Sequence, residues 1–362
     1  MPFFIKLMLK YHVLDRSGGR KIHKGEKVNV GGAIIFIAFL ASYLIALPFI
    51  TKQEPIDLAI TFIILILCIV VVGIRDDMNS LTAKNKLIIE IILVLFLCRM
   101  GIRIDNLYGF WGIYEIPPWV SYSLTVFFFI VVLNTYNLID GIDGQAATQA
   151  LAVLVPLLLF FLFIVPGNEC KNCFGGVFFW SIICVSIIGA LLGFIHYNWE
   201  PSRVFMGDTG SISIGVLLAS VMIAAIQYNG VYGNDITINC CEIKSKIGVI
   251  VVLFFVPLAD TLRVFISRIM RGKSPFTPDK SHIHHFLLRT GASHQTSTLT
   301  TLSFSIIISI VGIVLSTIFY DNIFIPLLAV LFILYVLSLS YVTKLRIKKM
   351  KKNRLCQKKL NQ

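Results

Sequence analysis

The stretch "NTYNLIDGIDGQ" sets Asn134, Asn137, Asp140 and Asp143 three residues apart and places Gly141 and Gly144 directly after the two acids. On a helical or near-helical backbone such residues are surface neighbours, so they form a ladder of oxygen donors. The glycines remove side chains where a bulky ligand would have to approach the backbone. Three further segments are similarly polar. "GIRDDMNSLTAKNK" holds Asp76, Asp77 and Lys86, and "HYNWEPSRVFMGDTGS" holds Asn198, Arg203, Asp208 and Ser211. "RIMRGKSPFTPDKSHIHHFLLRTG" holds Arg268, Arg271, Lys273, Asp279, His282, His284 and His285.

Turns rich in Gly, Asp and Asn also serve simply to end helices, and for the Asp76–Asp77 pair alone that is the preferred reading. A turn does not need a four-rung ladder, however. Carboxylate and amide oxygens without cysteine suit a hard cation, Mg²⁺ with Mn²⁺ as the alternative, and Asn137 and Asp208 would offer such oxygens from two loops. Zinc is the competing reading of the histidines. Only His282 and His285 have neighbouring helical spacing, and no cysteine is near, so phosphate handling with the upstream arginines and lysine accounts better for that loop. The set suggests phosphoryl transfer between a soluble nucleotide substrate and a lipid. Neither a GxxxxGK[ST] loop nor a protein-kinase motif set is present, which disfavours an ATP-driven pump or a kinase.

The elements that must position these groups are membrane spans. Of 362 residues, 57% are hydrophobic and 14% charged, and mean hydropathy is +0.84. That is the composition of a polytopic membrane protein. Ten apolar stretches recur, at 31–50, 58–74, 87–98, 118–133, 147–165, 177–195, 211–228, 247–267, 298–319 and 323–343, most of them near the ~20 residues a bilayer crossing needs. The expected fold is all-α, with about ten full spans plus a short N-terminal helix or truncated span in "PFFIKLMLKYHVL". Residues 1–343 read as one membrane domain and 344–362 as a basic tail.

If the spans alternate, 26 of the 32 Lys and Arg residues fall on the side that also receives all four polar segments, and 6 on the other. The positive-inside rule makes the basic side cytoplasmic. The net charge of +13 would also suit nucleic acid, but the basic residues flank spans and crowd the tail. Membrane lipids with anionic headgroups are therefore the expected partners, and nucleic acid is not. Cys170, Cys173, Cys240 and Cys241 fall in outward loops, where disulfides between the loops are preferred over a zinc site.

The motifs resemble those of the polyprenyl-phosphate N-acetylhexosamine-1-phosphate transferases. "RKIHKGEKVNVGG", "GIRDDMNSL", "NTYNLIDGIDG", "FIHYNWEPSRVFMGDTGS" and "SPFTPDKSHIHHFL" occur in the family's order. The resemblance implies transfer of N-acetylhexosamine 1-phosphate from a UDP-N-acetylhexosamine to undecaprenyl phosphate, with release of UMP, at the cytoplasmic face of a bacterial inner membrane. "HIHH" after "SPFTPDKS" is similar to the branch using UDP-N-acetylglucosamine or a related sugar for surface polysaccharides. The branch that handles UDP-MurNAc-pentapeptide more often has a proline followed by three histidines, and it stays as the alternative.

Carried over by motif, Asn137 and Asp208 would bind Mg²⁺, and Asp140 and Asp143 would help build the catalytic site. Asp76 and Asp77 would lie near the lipid phosphate, one as its base. His282 would act in catalysis, and Asn134, Lys86, Arg203, Arg271, His284 and His285 would contact substrate. A homodimer is compatible with the resemblance. Glu90 stands in "KLIIE" where many members have glutamine. Asp260, with Arg263 three residues on, reads equally as an ion pair between span ends or as a substrate contact. From a different class, an ion-coupled transporter would also carry intramembrane carboxylates, but near mid-bilayer rather than at span ends.

Overall fold

A computed structural model of the protein describes residues 31–51, 56–164, 175–232, 237–238, 241–272, 282–289 and 291–338. The N-terminal stub, most of the 20–32 motif, Lys273, Asp279, the side chains of the four outward cysteines and the basic tail lie outside the described residues. The helices are α1 (Gly31–Ile50), α2 (Ile56–Met78), α3 (Ala83–Met100), α4 (Pro118–Ile139), α5 (Gln145–Leu159, continued by a π-helical turn Phe160–Ile164), α6 (Val177–Asn198), α7 (Gly207–Tyr232), α8 (Gly248–Leu253), α9 (Phe255–Ile269), α10 (Ile283–Arg289), α11 (His294–Ser316) and α12 (Asp321–Ser338). In hydrocarbon, helices are the economical solution because each backbone amide finds its partner within the segment.

Eight of these, α1, α2, α4, α5, α6, α7, α11 and α12, are long and apolar enough to cross a bilayer. The other two expected spans depart from that pattern. Helix α3 has the length but carries Lys84, Lys86, Glu90 and Arg99. The 247–267 stretch is broken at Phe254 into α8 and α9. Pro257 explains the break: it has no N–H to give Leu253, and its ring crowds that carbonyl.

Helix α7 is the axis of the bundle, with every residue from Thr209 to Asn229 buried. It packs on α1, α2, α4 and α5, and its Gly210, Ser211, Ser213, Ala219 and Ser220 let neighbouring backbones come close. At Gly73 of α2, an added Cβ would stand 2.5 Å from Thr209 Cα, so glycine sets the approach of α2 to the start of α7. Between α1, α2 and α6, Phe62 meets Phe179 and Trp180 edge-on at 5.4 and 5.9 Å, pairs worth about 0.5–1.5 kcal/mol each beyond area burial. Large apolar side chains on the periphery, such as Ile45 and Phe163, are 75% and 78% exposed, as expected of faces that meet lipid. Cys68 is exposed as well, whereas Cys98 and Cys184 are buried.

Among the described residues, two short hairpins interrupt the all-α plan. Strands β1 (Asn106–Phe110) and β2 (Ile113–Glu115) pair antiparallel with Phe110 opposite Ile113, and β3 (Thr237–Ile238) pairs with β4 (Cys241–Glu242). Apolar periodicity does not foresee strands this short.

Candidate active site

The first turn of α7 is where four helices meet. Gly31 and Gly32 of α1 donate their amides to Phe205 O and Met206 O at 2.9 and 2.8 Å, fixing the loop that leads into it. Asp77, in the last turn of α2, accepts from the amides of Asp208 and Thr209 at 2.8 and 2.9 Å and from the Thr209 hydroxyl. It thus caps α7 from another helix, satisfying amides that α7 cannot pair internally. Its neighbour Asp76 is buried. One oxygen accepts the Leu81 amide at 2.7 Å and the other faces Lys86 Nζ at 2.8 Å.

Lys86 projects from the first turn of α3 and also reaches Asp208 Oδ1, at 2.7 Å. The Asn137 amide of α4 donates to the same Oδ1 at 2.7 Å and to Ser211 Oγ at 2.8 Å. Asp208 therefore presents one oxygen to two donors, while its side chain stays 38% exposed. Among the described residues, Asp208 Oδ2 and the Asn137 amide oxygen accept no hydrogen bond. No three His, Cys, Asp or Glu side chains converge into a metal group among the described residues. This donor set still fits Mg²⁺, which needs only one or two protein carboxylates when water and phosphate oxygens complete its shell.

The last turn of α4 leads from this cluster to the histidines. Asp140 ends α4, its amide bonded to Asn137 O at 3.3 Å. Gly141 follows against His284, where an added Cβ would lie 2.5 Å from Nε2. Here glycine is required so that α10 can touch the "NLIDG" turn. Buried Asp143 lies 3.6 Å from His294 Nδ1, and the Gly144 amide donates to Asn198 Oδ1 at 2.8 Å. Asn198 in turn donates to Val204 O at 2.8 Å, which ties the "NLIDGIDG" turn to the loop carrying Arg203.

Asp260 of α9 organises the histidine segment. It accepts Arg263 Nη2 at 2.7 Å, the Ile283 amide at 3.2 Å and His282 Nδ1 at 3.0 Å. A carboxylate only accepts, so Nδ1 carries the hydrogen in this contact. His282 Nε2 and His284 Nδ1 are buried with no partner among the described residues. The His282 and His284 rings lie parallel with centroids 5.7 Å apart. Burial first, then the neighbouring His285 and His282, push the His284 ring down to about 3, so it meets a ligand as a neutral hydrogen-bonding ring.

The structure thus brings Asp76, Asp77, Lys86, Asn137 and Asp208 into one cluster, and Asp140, Asp143, His282, His284 and His285 around the end of α4. It does not bring Asn134 into the cluster, because its amide turns back to Ile130 O at 2.8 Å. Arg203 and Arg271 have exposed side chains at the margin. The Asp260–Arg263 pair exists as an ion pair, and it also holds His282, which the open alternatives for Asp260 did not include. His294 was not among the candidates at all. Its one cue was a histidine at the first position of an apolar helix.

The chain is similar in sequence to known proteins. A family model described as glycosyl transferase family 4 matches residues 59–226. A probable undecaprenyl-phosphate N-acetylglucosaminyl 1-phosphate transferase of Bacillus subtilis (strain 168) is 29% identical over 324 residues, 87% of this chain and 81% of the relative. A decaprenyl-phosphate N-acetylglucosaminephosphotransferase of Mycobacterium leprae (strain TN) is 30% identical over 287 residues, 76% and 70% of the two chains. A phospho-N-acetylmuramoyl-pentapeptide-transferase of Streptococcus pyogenes serotype M12 (strain MGAS2096) is 29% identical over 250 residues, 63% and 69%.

Proposed function

We propose a reaction for this chain, which belongs to glycosyl transferase family 4: it transfers N-acetylglucosamine 1-phosphate from a UDP-sugar to undecaprenyl phosphate and releases UMP. The step would open the synthesis of a cell-surface polysaccharide. An oxygen of the lipid phosphate attacks the sugar-bearing phosphorus, a new phosphoanhydride forms, and the bond to the UMP phosphate breaks. The observation that carries this reading is the convergence of motif residues from α2, α3, α4 and α7 on Asp208, at the end of the bundle where the histidine helix also lies.

Two phosphates approaching each other must have their charge offset, and this chain does so with few groups. Lys86 supplies an ammonium, held between Asp76 and Asp208. Asp208 and Asn137 would hold Mg²⁺, or Mn²⁺ in its place, which when bound supplies neutralisation of the diphosphate oxygens. Asp77 keeps the first turn of α7 in place, so that Asp208 does not reorganise during the reaction. His282, oriented by Asp260, would donate from Nε2 to a phosphate or to the departing UMP when both ring nitrogens carry hydrogen. Direct displacement needs no aspartyl-phosphate, and the saturated contacts of Asp77 support that simpler course.

The charge asymmetry supports placing this end on the cytoplasmic side of a bacterial inner membrane, where soluble UDP-sugars are found. The test is to incubate the purified protein with undecaprenyl phosphate, Mg²⁺ and a panel of UDP-amino sugars that includes UDP-MurNAc-pentapeptide. A lipid-linked product with UDP-N-acetylglucosamine is expected. Product with the pentapeptide substrate alone would favour the activity named for the streptococcal relative, and no product from any donor would refute the reading.

A further inference from the structure

Glu90 is a buried carboxylate in a membrane-embedded bundle, only 6% exposed, and the reaction above gives it no task. It lies one helical turn beyond Lys86 on α3, a spacing that places the two side chains side by side. Asp76 and Asp208 are the other charges within its electrostatic reach. Its remaining surroundings are apolar: Ile69, Leu93, Leu133, Ile212 and Val216 line the small cavity beside it. No hydrogen bond from the described residues reaches its side chain, so Lys86 is the one cation near it among them.

Lys86 has a conflict to resolve. Its ammonium is bonded to Asp208 Oδ1, the carboxylate that a divalent cation would need, and two cations on one carboxylate repel each other at short range. A divalent cation on the open Oδ2 would therefore press the ammonium to withdraw from Asp208. Asp76 can keep one of its contacts, but the other is left empty in an apolar setting where an uncompensated charge is costly.

We propose that Glu90 is a positioning residue that takes over Lys86 when a divalent cation occupies Asp208 and Asn137. The ammonium would swing along α3, from an Asp208–Asp76 bridge to an Asp76–Glu90 bridge. It remains beside the site to meet phosphate, yet clear of the metal ligands. This inference rests on the metal site proposed above.

The test is Mn²⁺ binding to the purified full-length protein, read by electron paramagnetic resonance without substrates. D208N should lose binding, whereas E90Q should keep it with the dissociation constant raised about fivefold, the scale of one partly screened ion pair. K86M should bind more tightly than wild type because the competitor is gone. Adding E90Q to K86M should then change the affinity less than about twofold, since Glu90 acts through the lysine. K86Q serves as the second lysine variant, with gel filtration confirming that each variant is folded. Unchanged affinity in E90Q overturns the proposal while the metal site stands. An equal penalty in E90Q and K86M/E90Q also overturns it, because Glu90 would then act on the metal directly. Binding that D208N does not disturb refutes the metal site itself, and the exchange falls with it.

Discussion

Two carboxylates at opposite ends of α7 show how differently this bundle uses the same group. Beyond the far end of α7, Asp321 accepts Ser245 Oγ at 2.6 Å and the amides of Lys246, Ile247 and Gly248 at 2.9, 3.0 and 2.9 Å. It is buried, it joins the start of α12 to the start of α8, and its oxygens are saturated by groups that cannot leave. At the near end, Asp208 is met by Lys86 and Asn137, flexible side chains from other helices, and it stays partly open. A carboxylate consumed by backbone amides is fixed in place, whereas one held by side chains can exchange its partners. By this criterion Asp77 falls with Asp321, although its sequence context groups it with Asp208.

The largest effect should come from the exchangeable site. D208N and N137A are expected to lower turnover at least about a hundredfold with little change in unfolding temperature, measured by UMP release alongside a thermal melt. Near-normal turnover in either variant would break the distinction between the two ends. Next in size is the histidine segment. H282A should cost about a hundredfold in kcat, and D260N about tenfold because the ring loses its orientation. Equal KM values in D260N and wild type would show that Asp260 positions His282 rather than binds substrate.

Protonation sharpens the same comparison. His284 has an ordinary value of 6.5, and the fold pushes it down to about 3. Below pH 6.5 the unfolded chain takes up a proton that the folded chain refuses, so stability falls as acidity rises. At pH 5 the loss amounts to about 2 kcal/mol from this residue. Comparing melts at pH 7 and pH 5, the acid-induced drop should be smaller in H284Q than in wild type. An identical drop would mean that the ring is charged within its pocket.

The smallest effects belong to the saturated acids. D321N and D77N should each cost about 1 kcal/mol, as for a lost helix cap, while turnover per folded molecule stays within a few fold of wild type. A stable D77N protein without turnover would move Asp77 from the cap into the chemistry.

Much of this was readable in the chain. Hydropathy located the eight apolar spans because hydrocarbon imposes a length and a composition, and the polar segments that meet at Asp208 stood out against them. What could not be read was pairing. Asp77 finds its amides 131 residues away, Asp260 finds His282 22 residues on, and no local pattern encodes which helix ends meet. The β1–β2 hairpin was equally hidden, since its strands span 5 and 3 residues, too few for an alternating pattern to emerge. The break before α9 was visible in Pro257 but was masked by the apolar run around it.

Under the proposed reaction phosphorus, and not the sugar alone, moves to the lipid. It is tested most directly with UDP-N-acetylglucosamine carrying a radioactive label on the β-phosphorus, incubated with the purified protein, undecaprenyl phosphate and Mg²⁺. Label is expected in the lipid fraction, with an equal quantity of unlabelled UMP in the aqueous fraction. Labelled UDP in the aqueous fraction beside an unlabelled glycolipid would contradict it.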